Sequence, residues 1–336
     1  MIRFLRLIIL VTSYSGTVYA EDVRMATMSP VGSPSRFVYN NLVENVTIQS
    51  GGAYTIEPFF NGELGPEETY FNAMRRGRIQ LAAISGQAVG TAVPEYSLLR
   101  APFLFDSFEE LAFIYDNFLL RRLEELFLEK GMVHLQWTAN GWENVYAQKP
   151  VRRPSDVEGY RIRVPLEPNA ALFFSAAGAD VIQIPFTDII QSLQTGLING
   201  GESTTLMYLQ GGIFTEAPHL TRTHHGFSLT VFTANKKWFE GLSLRSQNIL
   251  REACMKAEKA YPIMHAQTMD LLLQTRKKGV LVYDLSPQER QDWRKETLGA
   301  LDKVIDQVGV GAVDFYDLIR AGKKEYAALN KQHYTP

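Results

Sequence analysis

Two arginines in one short predicted strand are the first candidates for binding an anion. Residues 160–164 read YRIRV, and side chains alternate between the two faces of a strand. Arg161 and Arg163 therefore share one face, and Ile162 lies on the other. A guanidinium presents parallel N–H donors that match a carboxylate in a bidentate pair, which a lysine cannot copy. Alternation alone also fits an exposed strand arginine, so a second signal is needed.

Other residues that could do chemistry do not form a catalytic or metal-binding pattern. Residues 196–201 are rich in glycine but lack the lysine and hydroxyl of a phosphate loop. The chain has no G-x-S-x-G elbow and no H-E-x-x-H helix. His224 and His225 are adjacent, so on a strand they face opposite sides and make a poor metal pair. Glu67 and Glu68 are better explained by the start of a helix, where the dipole favours acids. We therefore expect no enzyme, no metal and no cofactor.

The composition is that of an ordinary globular protein. The chain has 336 residues, of which 46% are hydrophobic and 21% are charged, and this length suggests about two domains. Its net charge is −2, with 34 basic and 36 acidic residues, which disfavours a general nucleic-acid binder. The single cysteine, Cys254, excludes an internal disulfide and a cysteine-rich metal site. We expect Cys254 to be a small core residue.

The N-terminus has the features of a cleavable signal peptide. Arg3 and Arg6 form a basic n-region, residues 5–11 are mostly apolar, and VYA precedes a predicted cleavage after Ala20. The apolar run is far shorter than the ~20 residues that a bilayer span needs. Removing these 20 residues takes away two arginines, so the net charge becomes −4. We therefore expect an exported protein that is not itself inserted in a membrane.

Short strands alternate with amphipathic helices along the rest of the chain, which predicts an α/β fold. A helical pattern runs from residue 243 to about 276 with Pro262 inside it, so a kinked helix on the order of 50 Å long is expected. A helix of that length is best explained by two lobes that share it. A further helix is predicted over 286–308. The other predicted strands are 23–27, 54–60, 79–84, 133–138, 160–164, 181–184 and 227–233, and the other predicted helices are 34–46, 66–77, 107–130, 170–177 and 186–196.

Four segments, in this order and spacing, resemble the substrate-binding proteins of TRAP transporters, the DctP type. They are LGPEE at 64–68 with MRRGRIQ at 74–80, APFLF at 101–105, PVRRPSDVEGYRIRVP at 150–165, and SLQTGLINGGE at 192–202. Each motif alone has moderate specificity, but four in order make a specific pattern. The resemblance covers nearly the whole chain after residue 20.

The resemblance implies a two-lobed periplasmic binding protein of the type II-like architecture. Its lobes interleave through hinge strands and a long domain-spanning helix. Residues 21–141 with 230–269 are expected to form lobe I, and residues 142–229 with 270–336 to form lobe II. The lobes would close on a small organic acid, and the closed form would dock on the small and large membrane subunits of a TRAP transporter in the periplasm.

The resemblance also implies a set of ligand-binding residues. Arg163, which precedes Val-Pro, matches the carboxylate-binding arginine of the family. Ser203 stands where members often have an asparagine, and its hydroxyl can still donate one hydrogen bond. Phe186 matches an aromatic that packs on the ligand, although a core phenylalanine fits equally well. Tyr208, after the Ser203 loop, is a further candidate, whereas Arg161 is expected at the surface.

The segment NGWEN, where the chain first crosses between the implied lobes, departs from the family. Many relatives carry a second arginine at or next to Glu143, and here the residue is acidic. A Glu143 in the cleft would repel a second carboxylate and favour an amino or hydroxyl group on the ligand. Trp142 could stack on a cation, and Asn140 is a further contact. The alternative that Glu143 faces solvent or pairs with a nearby base stays open.

Two strand ends complete the predicted site. Ligands of open α/β sheets lie beyond the carboxyl ends of strands, so Ser29 and Gln87, which follow predicted strands, are candidate contacts. Two other functions remain open from the sequence. The protein could present its ligand to a membrane sensor, which would be distinguished by neighbouring genes, or it could be an enzyme, which would turn the bound acid over.

Overall fold

A computed structural model describes residues 21–332, so the predicted signal peptide and its cleavage after Ala20 lie outside the described residues. The strands are β1 (Glu21–Thr27), β2 (Tyr54–Phe59), β3 (Leu81–Ser85), β4 (Met132–Ala147), β5 (Arg161–Val164), β6 (Asp180–Gln183), β7 (Gly200–Thr204), β8 (His219–Asn235) and β9 (Leu281–Asp284). The helices are α1 (Arg36–Gln49), α2 (Glu67–Arg75), α3 (Gly86–Ala92), α4 (Phe108–Ile114), α5 (Leu120–Glu129), α6 (Pro168–Ala176), α7 (Ile189–Gln194), α8 (Thr205–Gln210), α9 (Lys236–Glu240), α10 (Leu244–Ala253), α11 (Ala257–Arg276), α12 (Pro287–Glu296), α13 (Ala300–Val308) and α14 (Ala312–Gln332).

One mixed sheet runs through the whole described chain. Its strand order is β2-β1-β3-β8-β4-β7-β5-β6, and β9 pairs with β8. Strands β1 to β3 pair in parallel and form the first half of the sheet. Strands β5 to β7 likewise pair in parallel and form the second half. The long antiparallel strands β4 and β8 join the two halves, which is the position expected for hinge strands.

Buried side chains form four clusters, two on each half of the sheet. The first two surround Trp137 and Phe232, and the other two surround Tyr146 and Trp293. Helix α11 reaches both halves, because Met264 belongs to the Phe232 cluster and Leu272 to the Tyr146 cluster. The predicted domain-spanning helix is therefore confirmed.

The predicted helix over 243–276 is nevertheless two helices. α10 ends at Ala253, the backbone is extended at Cys254 with ψ 127°, and α11 begins after Lys256 with ψ 144°. α11 continues through Pro262. Its 20 residues give a length of about 30 Å, and the break at residues 254–256 divides the predicted helix of about 50 Å. Cys254 is buried, as expected.

The C-terminal segment also packs differently from the prediction. Residues 286–308 form two helices, α12 and α13, instead of one. Trp293 of α12 lies in a cluster of the second half, but Val304 of α13 and Phe315 of α14 pack in the Trp137 cluster of the first half. The expected lobe II of residues 142–229 with 270–336 stays a prediction, because α14 packs on α4 whereas α13 contacts both α6 and the segment 94–100.

Side chains cap the starts of two of these helices. Ser107 Oγ accepts a hydrogen bond from the N–H of Glu110 at 3.0 Å, and Ser286 forms a capping box with Glu289. None of the helices within residues 21–332 has an apolar stretch long enough to cross a bilayer.

Candidate ligand-binding cavity

A cavity of about 170 Å³ lies between the two halves of the sheet. An enclosed space of about 150 Å³ holds a molecule the size of benzene, so the cavity suits a small organic ligand. The predicted residues in its wall are Ser29, Gln87, Asn140, Glu143, Arg163, Phe186 and Ser203. The wall also contains residues that the sequence analysis did not select, among them Tyr39, Glu67, Glu68, Glu167 and Glu202.

Arg163 is built into the wall of the second half. Its side chain projects from β5, it is 4% exposed, and Ile162 on the other face is 0% exposed in the core. Arg163 Nε donates a hydrogen bond to the carbonyl oxygen of Ile184 at 2.8 Å, which fixes the guanidinium. Burial lowers the pKa of Arg163, but an arginine remains charged in proteins. Arg161 is exposed and donates from Nε to Asn199 Oδ1 at 3.3 Å.

A second buried arginine gathers three carboxylates at the cavity. Arg100 Nη1 lies 2.7 Å from Glu167 Oε1, and Arg100 Nη2 lies 3.2 Å from Glu143 Oε1 and 3.4 Å from Glu202 Oε1. Glu202 Oε2 lies 2.9 Å from His225 Nε2. We call these five residues the Arg100 cluster. Its arginine comes from the 3₁₀ segment Pro94–Arg100, so five separate segments of the chain meet here.

Glu143 and Glu202 differ in how readily they take a proton. Burial, with the neighbouring Glu202 carboxylate, raises the pKa of Glu143 to about 7, although Arg100 opposes this shift. Burial also acts on Glu202, but the hydrogen bond with His225 and the nearby Arg100 charge hold the Glu202 pKa below its usual range. Glu143 therefore pairs with a base, Arg100, which lies 43 residues away in sequence. This is the pairing that the sequence analysis left open as the alternative for Glu143.

Glu67 contributes a carboxylate from the first half of the sheet. It is the first residue of α2, as the capping interpretation predicted. Its Oε1 accepts hydrogen bonds from the N–H of Ser85 at 2.8 Å and from the hydroxyl of Tyr70 at 3.3 Å. Its Oε2 accepts one from Ser85 Oγ at 2.5 Å. Burial raises the pKa of Glu67. No sequence signal distinguished this glutamate from an ordinary helix-capping acid.

Two predicted contacts lie outside the cavity wall. Trp142 stacks on His224, with ring centroids 5.2 Å apart, and faces a second pocket. Because side chains alternate along a strand, Glu143 on the neighbouring position faces the cavity and Trp142 does not. Tyr208 is fully buried in the Tyr146 cluster, and its hydroxyl donates to Ala217 O at 2.9 Å. Its expected ligand contact is corrected to a core role.

The two histidines are separated, as predicted. His225 belongs to the Arg100 cluster, and His224 packs on Trp142. Within the described residues, no group of three or more His, Cys, Asp or Glu side chains is arranged to hold a metal ion.

Two halves of one α/β sheet, joined by two long strands around a cavity with a fixed arginine, define a two-lobed solute-binding protein. Residues 25–307 match the model of the DctP family, described as bacterial extracellular solute-binding protein, family 7, so the chain belongs to this family. The resemblance to TRAP transporter binding proteins and the predicted α/β fold are thereby confirmed.

Individual relatives are distant. The ectoine-binding periplasmic protein TeaA of Halomonas elongata is 25% identical over 286 residues, which cover 82% of this chain and 83% of that protein. The C4-dicarboxylate-binding periplasmic protein DctP of Vibrio cholerae is 24% identical over 264 residues, 77% and 79% of the two chains. A crystal structure of a TRAP periplasmic solute-binding protein from Roseobacter denitrificans, with bound β-D-glucuronate, has TM-score 0.84 and 20% identity over 90% of this chain and 99% of that one.

Proposed function

We propose that this protein binds a small organic carboxylate in the cavity and delivers it to the membrane subunits of a TRAP transporter. The observation that carries the proposal is Arg163, a fixed and nearly buried guanidinium in the cavity wall. Such a group binds a carboxylate through two parallel hydrogen bonds. The ligands named for the relatives are ectoine, C4-dicarboxylates and β-D-glucuronate. These ligands differ from one another, but they support a carboxylate-bearing class.

The charges of the wall favour one carboxylate on the ligand over two. Within residues 21–332, Arg163 is the one arginine or lysine that lines the cavity, whereas Glu143, Glu167 and Glu202 line the same region. A second ligand carboxylate would meet these acids, since like charges in a partly desolvated site repel strongly. The proposed ligand is therefore a monocarboxylate whose other polar groups are amino or hydroxyl groups.

The proposed working step is closure of two lobes around the ligand. One lobe comprises the first half of the sheet with α13 and α14, and the other comprises the second half with α12. The predicted signal peptide would place the protein in the periplasm, where the small and large TRAP subunits can meet it. The ligand would be released unchanged, as a transport function requires.

Substitution of Arg163 tests this proposal. A thermal-shift screen with small organic acids first identifies a ligand, because a ligand that binds only the folded state raises Tm. Calorimetric titration of that ligand into Arg163→Ala should then show affinity weakened by about 30- to 1000-fold, the equivalent of about 2–4 kcal/mol. The guanidinium is lost while the carboxylate must still enter the cavity.

Arg161→Ala provides the matched control on the same strand. Arg161 is exposed and is absent from the cavity wall, so its removal should leave the Kd unchanged. An Arg163→Ala protein with a native circular-dichroism spectrum and an unchanged Kd would show that the carboxylate is held elsewhere.

A further inference from the structure

We infer that the ligand is dipolar: its carboxylate binds Arg163, and a cationic nitrogen at its other end binds Glu67 on the opposite wall. This inference rests on the proposed function and deepens it, because it names the class of acid. The class comprises acids in which an ammonium, quaternary ammonium or amidinium group is separated from the carboxylate by a ring or a short chain.

The first observation is the charge of the wall. Five carboxylates line the cavity, in Glu67, Glu68, Glu143, Glu167 and Glu202, against the single guanidinium of Arg163. Three of the five have basic partners within the Arg100 cluster. None of the ion pairs found within residues 21–332 involves Glu67 or Glu68.

An enclosed carboxylate without a cation is costly, and an incoming positive charge would offset that cost. Glu143 does not meet this description, since Arg100 already lies 3.2 Å from it. The cationic end of the ligand therefore belongs at Glu67, not at Glu143, where the sequence analysis expected an ammonium or hydroxyl partner.

The second observation is the geometry of Glu67. Three hydrogen bonds, two from Ser85 and one from Tyr70, hold its two oxygens in place. An ionised carboxylate has about four acceptor positions, so capacity remains for one further donor. A preorganised carboxylate of this kind can accept a hydrogen bond from a charged nitrogen without rearrangement, and such charge-assisted bonds are the strong ones.

The third observation is an aromatic ring in the same wall. Tyr39 lines the cavity and is 5% exposed. Its ring is held edge-on against Phe60, with centroids 5.7 Å apart, and its hydroxyl accepts a hydrogen bond from Thr27 Oγ1 at 3.1 Å. An aromatic ring in the same wall as a carboxylate is a combination suited to organic cations, quaternary ammonium groups included.

The size of the site fits a molecule that reaches both ends. Glu67 accepts from Ser85 at the end of β3, and Arg163 lies on β5, with three strands between them in the sheet order. Four strand spacings correspond to on the order of 20 Å between backbones, from which the two side chains reach inward. A ligand that reaches both residues therefore carries its carboxylate and its cationic nitrogen at opposite ends, and the cavity of about 170 Å³ suits a molecule built on one ring.

A panel of matched ligands tests the inference on the unmodified protein. The probes are trans-4-(aminomethyl)cyclohexanecarboxylate and its N,N,N-trimethyl betaine, cyclohexanecarboxylate as the uncharged-ring acid of similar size, glucuronate and galactonate as hydroxy acids, and succinate and malate as dicarboxylates. Thermal shifts and calorimetric titration are measured at pH 7.5. We expect the dipolar acids to bind at least ten-fold more tightly than cyclohexanecarboxylate and the dicarboxylates.

Glu67→Gln then tests the residue. The glutamine oxygen can still accept from the N–H of Ser85, so the variant removes the charge and little else. Affinity for the dipolar acid should fall ten-fold or more, while affinity for any hydroxy acid that binds should change less than two-fold. Glu63→Gln removes the same charge from an exposed position outside the wall and should change neither value.

The outcomes separate the inference from the proposed function. If hydroxy acids bind in an Arg163-dependent way and dipolar acids do not, the inference is overturned and the proposed function stands. If no organic acid binds, or binding is indifferent to Arg163, the proposed function itself fails. The ligand panel needs no variant, so the inference remains falsifiable even if Glu67→Gln does not fold.

Discussion

At the scale of single residues, the Arg100 cluster sets the electrostatics of this cavity. Glu143 lines the cavity from β4, and Arg100 supplies a cation from another segment. The guanidinium is shared among three carboxylates. A buried charge needs such partners because it has left water. Burial, together with the neighbouring Glu202 carboxylate, raises the pKa of Glu143, so Glu143 holds a proton more readily than usual.

Glu143 should make stability fall with rising pH. Its pKa in the folded protein is raised from 4.5 to about 7, so its contribution to stability is fully present below about pH 4.5 and is lost as the pH rises through 7. Between pH 5 and pH 7.5 the ionisation of Glu143 should lower the free energy of unfolding by about 2 kcal/mol. Urea unfolding of the wild type and of Glu143→Gln at both pH values measures it.

The difference between the two proteins isolates Glu143 from other groups that titrate. Arg100, Arg163, Glu202 and His225 surround it in both, and glutamine can still accept a hydrogen bond from Arg100. Between pH 5 and pH 7.5, the free energy of unfolding of Glu143→Gln should therefore fall by about 2 kcal/mol less than that of the wild type. Equal pH dependence in both proteins would show that Glu143 is ionised throughout.

The site was predictable where local pattern and family motif agreed. Alternation along β5 and the motif around Val-Pro together place Arg163 in the wall, and strand ends place Ser29 and Gln87 there. Arg100 and Glu67 were missed for a physical reason. Their roles arise from contacts between segments far apart in sequence, and neither residue stands in a local pattern that distinguishes it from a surface or capping residue.

At the scale of elements, the hinge strand β4 is irregular where it passes the cavity. Its pairing with β8 shifts register between Ala139 and Gly141 and again between Glu143 and Val145. Gly141 has φ 120°, a conformation that side-chain-bearing residues rarely adopt. Such bulges re-aim side chains along a strand, and here the result is a cavity-facing Glu143 beside an outward-facing Trp142.

Gly141→Ala should destabilise the protein by about 1–3 kcal/mol through backbone strain alone. A Cβ at Gly141 would meet no atom within 4 Å, so steric clash is not the cause. In the neighbouring strand β8, Gly226→Ala is the control, because its φ is outside the unfavourable range and its Cβ would make ordinary contacts. Equilibrium urea unfolding of both variants gives the comparison, and equal free energies would mean that the hinge accommodates the substitution.

The helix boundaries around α10 and α11 that were not predicted from the sequence share a physical cause. The break between α10 and α11 falls at residues 254–256, which contain neither glycine nor proline, so no local signal marks it. Pro262, which carries such a signal, lies five residues after the start of α11, and the helix continues through it. Packing across the two halves of the sheet outweighs local propensity at both places.

At the scale of the whole molecule, the two lobes are tied together more than once. The strands β4 and β8 belong to one continuous sheet, α11 contributes to buried clusters on both halves, and α13 and α14 return to the first half after α12 has packed on the second. The sequence predicted the shared helix and the interleaving, but not this last return. The position of α13 and α14 depends on which core offers them an apolar groove. The sequence pattern of α14 alone does not reveal which core that is.

These ties predict that the lobes unfold together. Neither core can lose its strands without removing β4, β8 or α11 from the other, so differential scanning calorimetry without ligand should show one transition. The calorimetric and van't Hoff enthalpies should agree, as in a two-state process. A bound ligand at 100 times its Kd should stabilise the folded state by about 2.7 kcal/mol and move this single transition upward as a unit. Two resolved transitions, of which only one responded to ligand, would instead assign the cavity to one independently folding lobe. That result would contradict a site built from both halves of the sheet.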